Sequence, residues 1–269
     1  MYALGIDIGA SKILGVVCEV TRERVKVVRQ IKIITPSTRV AFLHELYELL
    51  ALLMDSSTKR SITHAGVAVA GIFDHDGVLR NSPNMPFLNG FNVQHYFSKK
   101  IGVPVRAVND ARAFLSYSLR YGVAREQNDV VGVVLGSGVG GAIALDRRIV
   151  SGAHHSAGEV GHMIIDLETH HKKWNVKSLE ALASVKALTR LGHGYAQVGD
   201  ALGIGFANIV NIIDPDMIVV GGGLASAGDL ILVRARNVME QYIVSPKARR
   251  IPVVIEKDYE VASAVGAVL

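Results

Sequence analysis

Apolar positions in the first third of the chain come in short continuous or alternating runs, the signature of strands. Tyr2–Ile8, Ile13–Val20 and Val25–Ile34 are predicted as three strands. From about Arg39 to Met54 the spacing becomes that of an amphipathic helix, and a strand follows at Ala65–Ala70. Asn81–Gly90 is rich in Pro, Asn and Gly and is predicted as a loop. A short helix near Val93–Lys100, a strand at Val103–Val108 and a helix at Ala111–Tyr121, ending before Gly122, complete this half.

The second half repeats the pattern less regularly. It opens with a hairpin at Val130–Leu145 and a strand at Arg148–Val150. A loop leads to helices near Leu179–Leu191 and Ala196–Ile213, then a buried strand at Met217–Val220. A further helix, a strand at Ile251–Ile255 and a short final helix follow. A repeated order of hairpin, strand, helix, strand, helix, strand, helix predicts two mixed α/β domains, 1–108 and 109–269, with a cleft between them and the final helix a candidate to pack back on the first. No flexible linker separates the halves, so close packing and hinge closure are expected.

Two Gly/Ser turns carry the first chemical signal. Asp7-Ile8-Gly9-Ala10-Ser11-Lys12 joins the first two strands, and Leu135-Gly136-Ser137-Gly138-Val139-Gly140-Gly141 lies within the later hairpin. Gly9 lets the backbone approach a phosphate, Ser11 and Lys12 can donate to it, and Asp7 can hold Mg2+ through water. Either turn alone is also compatible with an ordinary tight turn. Neither is a GxxxxGK[ST] loop nor a strand-to-helix GxGxxG.

Other candidates stand at element ends. Asn109-Asp110 marks a strand-to-helix junction, where ligands of open sheets bind and where Asn and Asp also serve as helix caps. Glu159 and His162, bracketed by Gly158 and Gly161, can receive sugar hydroxyls. Ser178 is a candidate cap for a helix whose first turn holds Glu180, a position that also suits a dipole-compensating acid. Gly221-Gly222-Gly223 follows a strand and allows a flat group such as adenine to lie against backbone. His154, His155, His170 and His171 are taken as exposed loop residues rather than a metal cluster.

Composition narrows the class. Of 269 residues, 49% are hydrophobic and 20% charged, a globular rather than disordered profile. A net charge of +5, spread in short clusters such as Lys172-Lys173 and Arg249-Arg250, argues against a nucleic-acid face. The single cysteine, Cys18, excludes a disulfide and a cysteine metal site. No leader and no uninterrupted apolar span are read, so a cytoplasmic location is expected.

Taken together and in order, these motifs resemble the ROK family of sugar kinases and repressors, of the actin-like ATPase superfamily. Asp7–Lys12 is similar to the family's DxGGTK motif, with Ala10 for the second Gly and Ser11 for Thr; Leu135–Gly141 is similar to LGTGIGGG. Asn109-Asp110-Ala111, Ala157–His162 and Gly221–Gly223 match NDA, AGEIGH and the glycines beside adenosine. The resemblance implies two actin-like (ribonuclease H-like) domains. It implies Asp110 as catalytic base, with Asn109, Glu159, His162, Glu180 and the Gly71 backbone around the sugar. Asp7, Lys12, Ser137 and Gly138 would face ATP-Mg. The family's CxCGxxGC zinc cluster has no cysteine counterpart in Met163–Leu179, so no zinc site is expected, although Ser178-Leu179-Glu180-Ala181 still resembles CLEA.

The expected activity is ATP-dependent phosphorylation of a hexose 6-hydroxyl, glucose first, with N-acetylmannosamine or N-acetylglucosamine as the alternative. A homodimer is expected from the resemblance alone. A repressor is not expected, since the first strand begins at Tyr2 with no helix-turn-helix read before it, and a non-catalytic sugar-binding module is the remaining alternative.

Overall fold

The computed structural model describes residues 1–54, 62–170, 173–190, 192 and 194–269. The chain begins with β1 (Tyr2–Ile8), β2 (Lys12–Val20) and β3 (Val25–Ile34), then α1 (Arg39–Leu53), β4 (Ile62–Val69), and the short pair β5 (Ile72–Phe73) and β6 (Leu79–Asn81). Next come α2 (Val93–Ile101), β7 (Val105–Asn109) and α3 (Asp110–Arg120). There follow β8 (Val130–Leu135), β9 (Val139–Leu145), β10 (Arg148–Ile149), β11 (Ile164–His170) and β12 (Lys173–Ser178). The remainder is α4 (Leu179–Ala183), α5 (Val185–Arg190), α6 (Tyr195–Ile213), β13 (Met217–Gly221), α7 (Asp229–Tyr242), β14 (Val253–Ile255) and α8 (Ala262–Gly266).

Two compact units result: Met1–Tyr121 with Ala153–His155 and Val261–Leu269, and Gly122–Gly152 with Ser156–Glu260. Each is built on a five-stranded sheet of the same plan. The first has the order β3-β2-β1-β4-β7, the second β10-β9-β8-β13-β14. In both, the first three strands pair antiparallel and the last two join in parallel. The repeat expected from the pattern is therefore a repeat of topology.

The first unit's core lies between its sheet and helices: Leu4, Ile6 and Ile8 of β1 meet Phe42, Leu46 and Leu49 of α1, with Phe97 of α2 in the same cluster. Thr38 caps α1 and Asn92 caps α2, each through its side-chain oxygen, which fixes where the helical turns begin. Helix α8 lies against the same sheet at close range. A Cβ on Gly5 of β1 or Gly66 of β4 would run into the backbone carbonyls of Ala264 and Ala267, and one on Gly266 into that of Ala113 on α3. These glycines let helix and strand backbones approach without side chains between them.

That packing moves the boundary. The division falls after Tyr121, not near Asn109, because α3 packs beside α8, the helix that lies on the first sheet, and is held there by the Ala113–Gly266 approach. The pairing joins residues far apart in sequence, and no local pattern announces it.

In the second unit, Val198, Leu202 and Phe206 of α6 pack with Ile231, Leu232 and Ala235 of α7 over Val131, Val133, Ile218 and Val220 of the sheet. Among the described residues α6 is the one helix long and apolar enough to cross a bilayer. Its apolar length is that of a core helix, since Val198, Leu202 and Phe206 are completely buried. The helix predicted over Leu179–Leu191 is broken at Ser184, which is buried and extended. The loop predicted between Val150 and Leu179 contains the hairpin β11–β12, paired from Ile164↔Ser178 to His170↔Lys173 with a register shift between Ile164 and Asp166. His171 and Lys172 lie outside the described residues.

Candidate active site

In the first unit, sheet register gathers three of the sequence motifs at one edge. Ile8, Val69 and Asn109 are neighbours at the ends of the parallel strands β1, β4 and β7. The segments leaving those ends are Gly9–Lys12, Gly71 and Asp110, so residues far apart in sequence share the edge where open sheets bind ligands.

The turn after β1 is closed by the Gly9 amide donating to the Lys12 carbonyl at 3.0 Å. Thr35 reinforces it: its hydroxyl donates to the Gly9 carbonyl at 2.6 Å, and its amide to the Ser11 carbonyl at 3.2 Å. Ser11 is exposed and Lys12 half-buried. Gly9 does not adopt a left-handed conformation; its lack of a side chain matters for approach rather than for the bend.

Asp7 stands at the centre of this edge. Burial first, and the charge of nearby Asp110 second, push its carboxyl from 3.8 up to about 7, with Lys12 opposing both. The three candidate residues are thus close enough to feel one another's charge. Two carboxylates beside one ammonium form a site that favours an added cation, the electrostatic match expected of a divalent-metal position.

Asn109, rather than Asp110, is the cap of α3. Its Oδ1 accepts from the Arg112 amide at 3.1 Å, and its Nδ2 donates to the Gly71 carbonyl at 3.1 Å. Asp110 occupies the first helical position. Gly71 has a φ of 153° and packs against the backbone of Asn81. The Asn109–Gly71 bond thereby ties two predicted sugar-site residues together.

The second unit carries its own set. Gly136, Ser137 and Gly138 form the tight turn between β8 and β9, with the Gly136 amide donating to the Gly138 carbonyl at 2.9 Å. Nothing lies within 4 Å of where a Cβ on Gly136 would stand. From α5 the Val185 amide donates to the Gly136 carbonyl at 2.9 Å, and from α4 the Glu180 carboxylate accepts from the Val139 amide at 2.9 Å. The break at Ser184 is what turns the Val185 N–H toward Gly136.

Gly221 ends β13 opposite Val134, and Gly222 follows at a φ of 84°. A Cβ on Gly222 would strike the Leu135 backbone, whereas Gly223 faces open space. Of the three glycines, Gly222 is the one demanded by both bend and packing. This contact places the turn expected beside adenosine next to the 136–138 turn.

Glu159 and His162 flank a short 3-10 turn, Val160–His162, with Glu159 Oε2 and His162 Nε2 4.0 Å apart and both side chains accessible. Gly158, at a φ of 93°, and Gly161 pack against the backbone of β9 and its neighbours, so the loop cannot drift from the hairpin. No cluster of three or more metal-binding side chains occurs among the described residues. Cys18 is buried, and burial pushes its thiol up to about 12, which removes it from reactive chemistry.

Sequence reasoning missed the Glu180–Val139 bond, the Val185–Gly136 bond and the double use of the Asn109 side chain. No spacing rule links a first-turn acid to a particular hairpin amide 41 residues away.

The ROK family model matches residues 3–198 and 192–269. The glucokinase of Thermotoga maritima is 23% identical over 306 aligned residues, covering 98% of this chain and 95% of that protein. The putative xylose repressor of a Caldicellulosiruptor species is 26% identical, over 78% of this chain and 63% of its own length. In fold, the chain is similar to a ROK family glucokinase from Streptomyces griseus solved with glucose and AMPPNP, with a TM-score of 0.85 and 22% identity over 100% of this chain and 98% of that one. The two repeated mixed sheets are those of the actin-like ATPase fold, and the chain belongs to the ROK family.

Proposed function

We propose that this protein is an ATP-dependent sugar kinase that transfers the γ-phosphate to the 6-hydroxyl of a hexose, glucose first. The observation that carries the reading is the charge-coupled group of Asp7, Asp110 and Lys12 at one sheet edge. A purely structural turn has no use for two carboxylates brought together at the cost of raising one of them to about 7. The glucokinase relative and the glucose-bound glucokinase fold point to the same class.

In this reading Asp110 accepts the proton of the attacking hydroxyl. Asn109 retains a second Nδ2 hydrogen for a sugar oxygen after its bond to Gly71, and Glu159, His162 and Glu180 receive other hydroxyls. Lys12, Ser11 and the amides of the Gly9 and Ser137 turns meet phosphate oxygens, and the Gly221–Gly223 turn supports the adenosine. Asp7 would hold Mg2+ through water; the metal, when bound, neutralises phosphate charge. The protein's own task is alignment of hydroxyl and phosphate and removal of the proton.

N-acetylmannosamine and N-acetylglucosamine are substrate choices within the same reaction. We further propose a cytoplasmic, homodimeric enzyme. The test is ADP release with ATP and Mg2+ over glucose, mannose, fructose and the two N-acetylhexosamines. Sugar-dependent ADP supports the kinase; sugar binding without ADP would make the chain a sugar-binding module.

A further inference from the structure

Glu180 occupies the first turn of α4, where an acidic side chain is ordinarily explained by the helix dipole. Its carboxylate is used otherwise. Oε2 accepts a hydrogen bond of 2.9 Å from the backbone amide of Val139, the first residue after the Gly136-Ser137-Gly138 turn. The bond spans 41 residues and is part-buried, where a charged acceptor strengthens an amide hydrogen bond.

The turn has a second attachment on the same side. The Gly136 carbonyl accepts from the Val185 amide, also at 2.9 Å, across the break at Ser184. One segment, 180–185, therefore grips both ends of a three-residue turn. Its own position is fixed by Ser178, whose hydroxyl caps Ala181 at 3.2 Å, by the Leu179 amide on the Met163 carbonyl at 2.8 Å, and by complete burial of Leu179. The turn itself contains two glycines and keeps open space at Gly136, so its shape must come from outside.

We infer that Glu180 is a positioning residue for the phosphate-side turn: through Val139 it holds the Gly136–Gly138 backbone in the conformation that presents its amides to ATP. This rests on the kinase reading and adds to the sugar role proposed for the same carboxylate. A residue serving sugar alone would affect only sugar binding when removed. A residue holding the turn must also affect nucleotide binding, and must do so through the Val139 amide.

The two roles separate in two variants. Glu180→Ala removes the acceptor. Glu180→Gln keeps a carbonyl oxygen for Val139 while removing the charge. Titration of full-length protein with a non-hydrolysable ATP analogue and Mg2+ should show ~10-fold weaker binding in Glu180→Ala, the size of one charge-assisted bond, and within ~2-fold of wild type in Glu180→Gln. Hydrogen exchange at the Val139 amide should accelerate ~10-fold or more in Glu180→Ala and remain slow in Glu180→Gln. Unchanged nucleotide affinity and unchanged Val139 exchange in Glu180→Ala would overturn the inference while leaving the kinase reading intact. If wild-type protein binds no nucleotide, the kinase reading fails, and with it the inferred role, whatever Val139 exchange shows.

Discussion

Replacing Asp7 by Asn should stabilise the metal-free protein above neutral pH and do little below pH 4. The carboxyl ionises near 3.8 when unfolded and at about 7 in the folded chain, because burial and the neighbouring Asp110 outweigh Lys12. Between those values the folded state binds the extra proton, so stability falls as pH rises from about 4 to about 7 and stays reduced beyond. A shift of about 3 units corresponds to roughly 4 kcal/mol at most. Asp7 keeps part of its surface in solvent, so the working range is about 2–4 kcal/mol. Asn has nearly the same shape and no charge to desolvate. Thermal or urea unfolding in EDTA, run at pH 4.5 and pH 8 on both proteins, gives the difference in stability at each pH, with titrations remote from Asp7 cancelling. The difference should widen in favour of the Asp7→Asn variant by the stated amount as pH rises, and Mg2+ should narrow it by stabilising wild type alone. Parallel pH profiles would show that Asp7 is not held against its charge, and the metal-site argument would lose its electrostatic basis.

Asn109→Ala removes both a helix cap and the bond to Gly71, and should cost about 1–2 kcal/mol in unfolding experiments, with weaker sugar binding. Gly66→Ala drives a methyl into the Ala267 carbonyl and should destabilise by about 1–3 kcal/mol, read as a lower midpoint, with sugar and nucleotide affinities kept at low temperature. Glu159→Ala should chiefly raise the sugar KM; unchanged sugar affinity would place the pocket elsewhere.

Strands and motif order were legible because they depend on local pattern. Val25–Ile34 and Tyr2–Ile8 stand where their apolar runs placed them. The hairpin β11–β12 was not, since the sequence between its strands, His171-Lys172, has no Asn-Gly or Asp-Gly signal that would announce a hairpin. The break at Ser184 was hidden for a similar reason: Leu-Ala-Ser-Val-Lys contains no Gly or Pro, and the Val185 amide that the break frees from the helix finds its acceptor in distant Gly136. At Asn109-Asp110 the sequence offered two cap candidates and no means of choosing; backbone geometry chose Asn109. Equally, the return of α8 to the first sheet rests on glycines at positions 5, 66 and 266, which are ordinary until their neighbours are known.

The central claim is that Asp110 serves as the base in phosphoryl transfer to a sugar. Its most direct test is ADP release from ATP and Mg2+ by wild type and Asp110→Asn across the hexose panel, with sugar affinity measured alongside. The account predicts one preferred sugar for wild type, and in Asp110→Asn a loss of turnover of at least ~100-fold with sugar binding largely kept. Turnover at the wild-type rate in Asp110→Asn would contradict it.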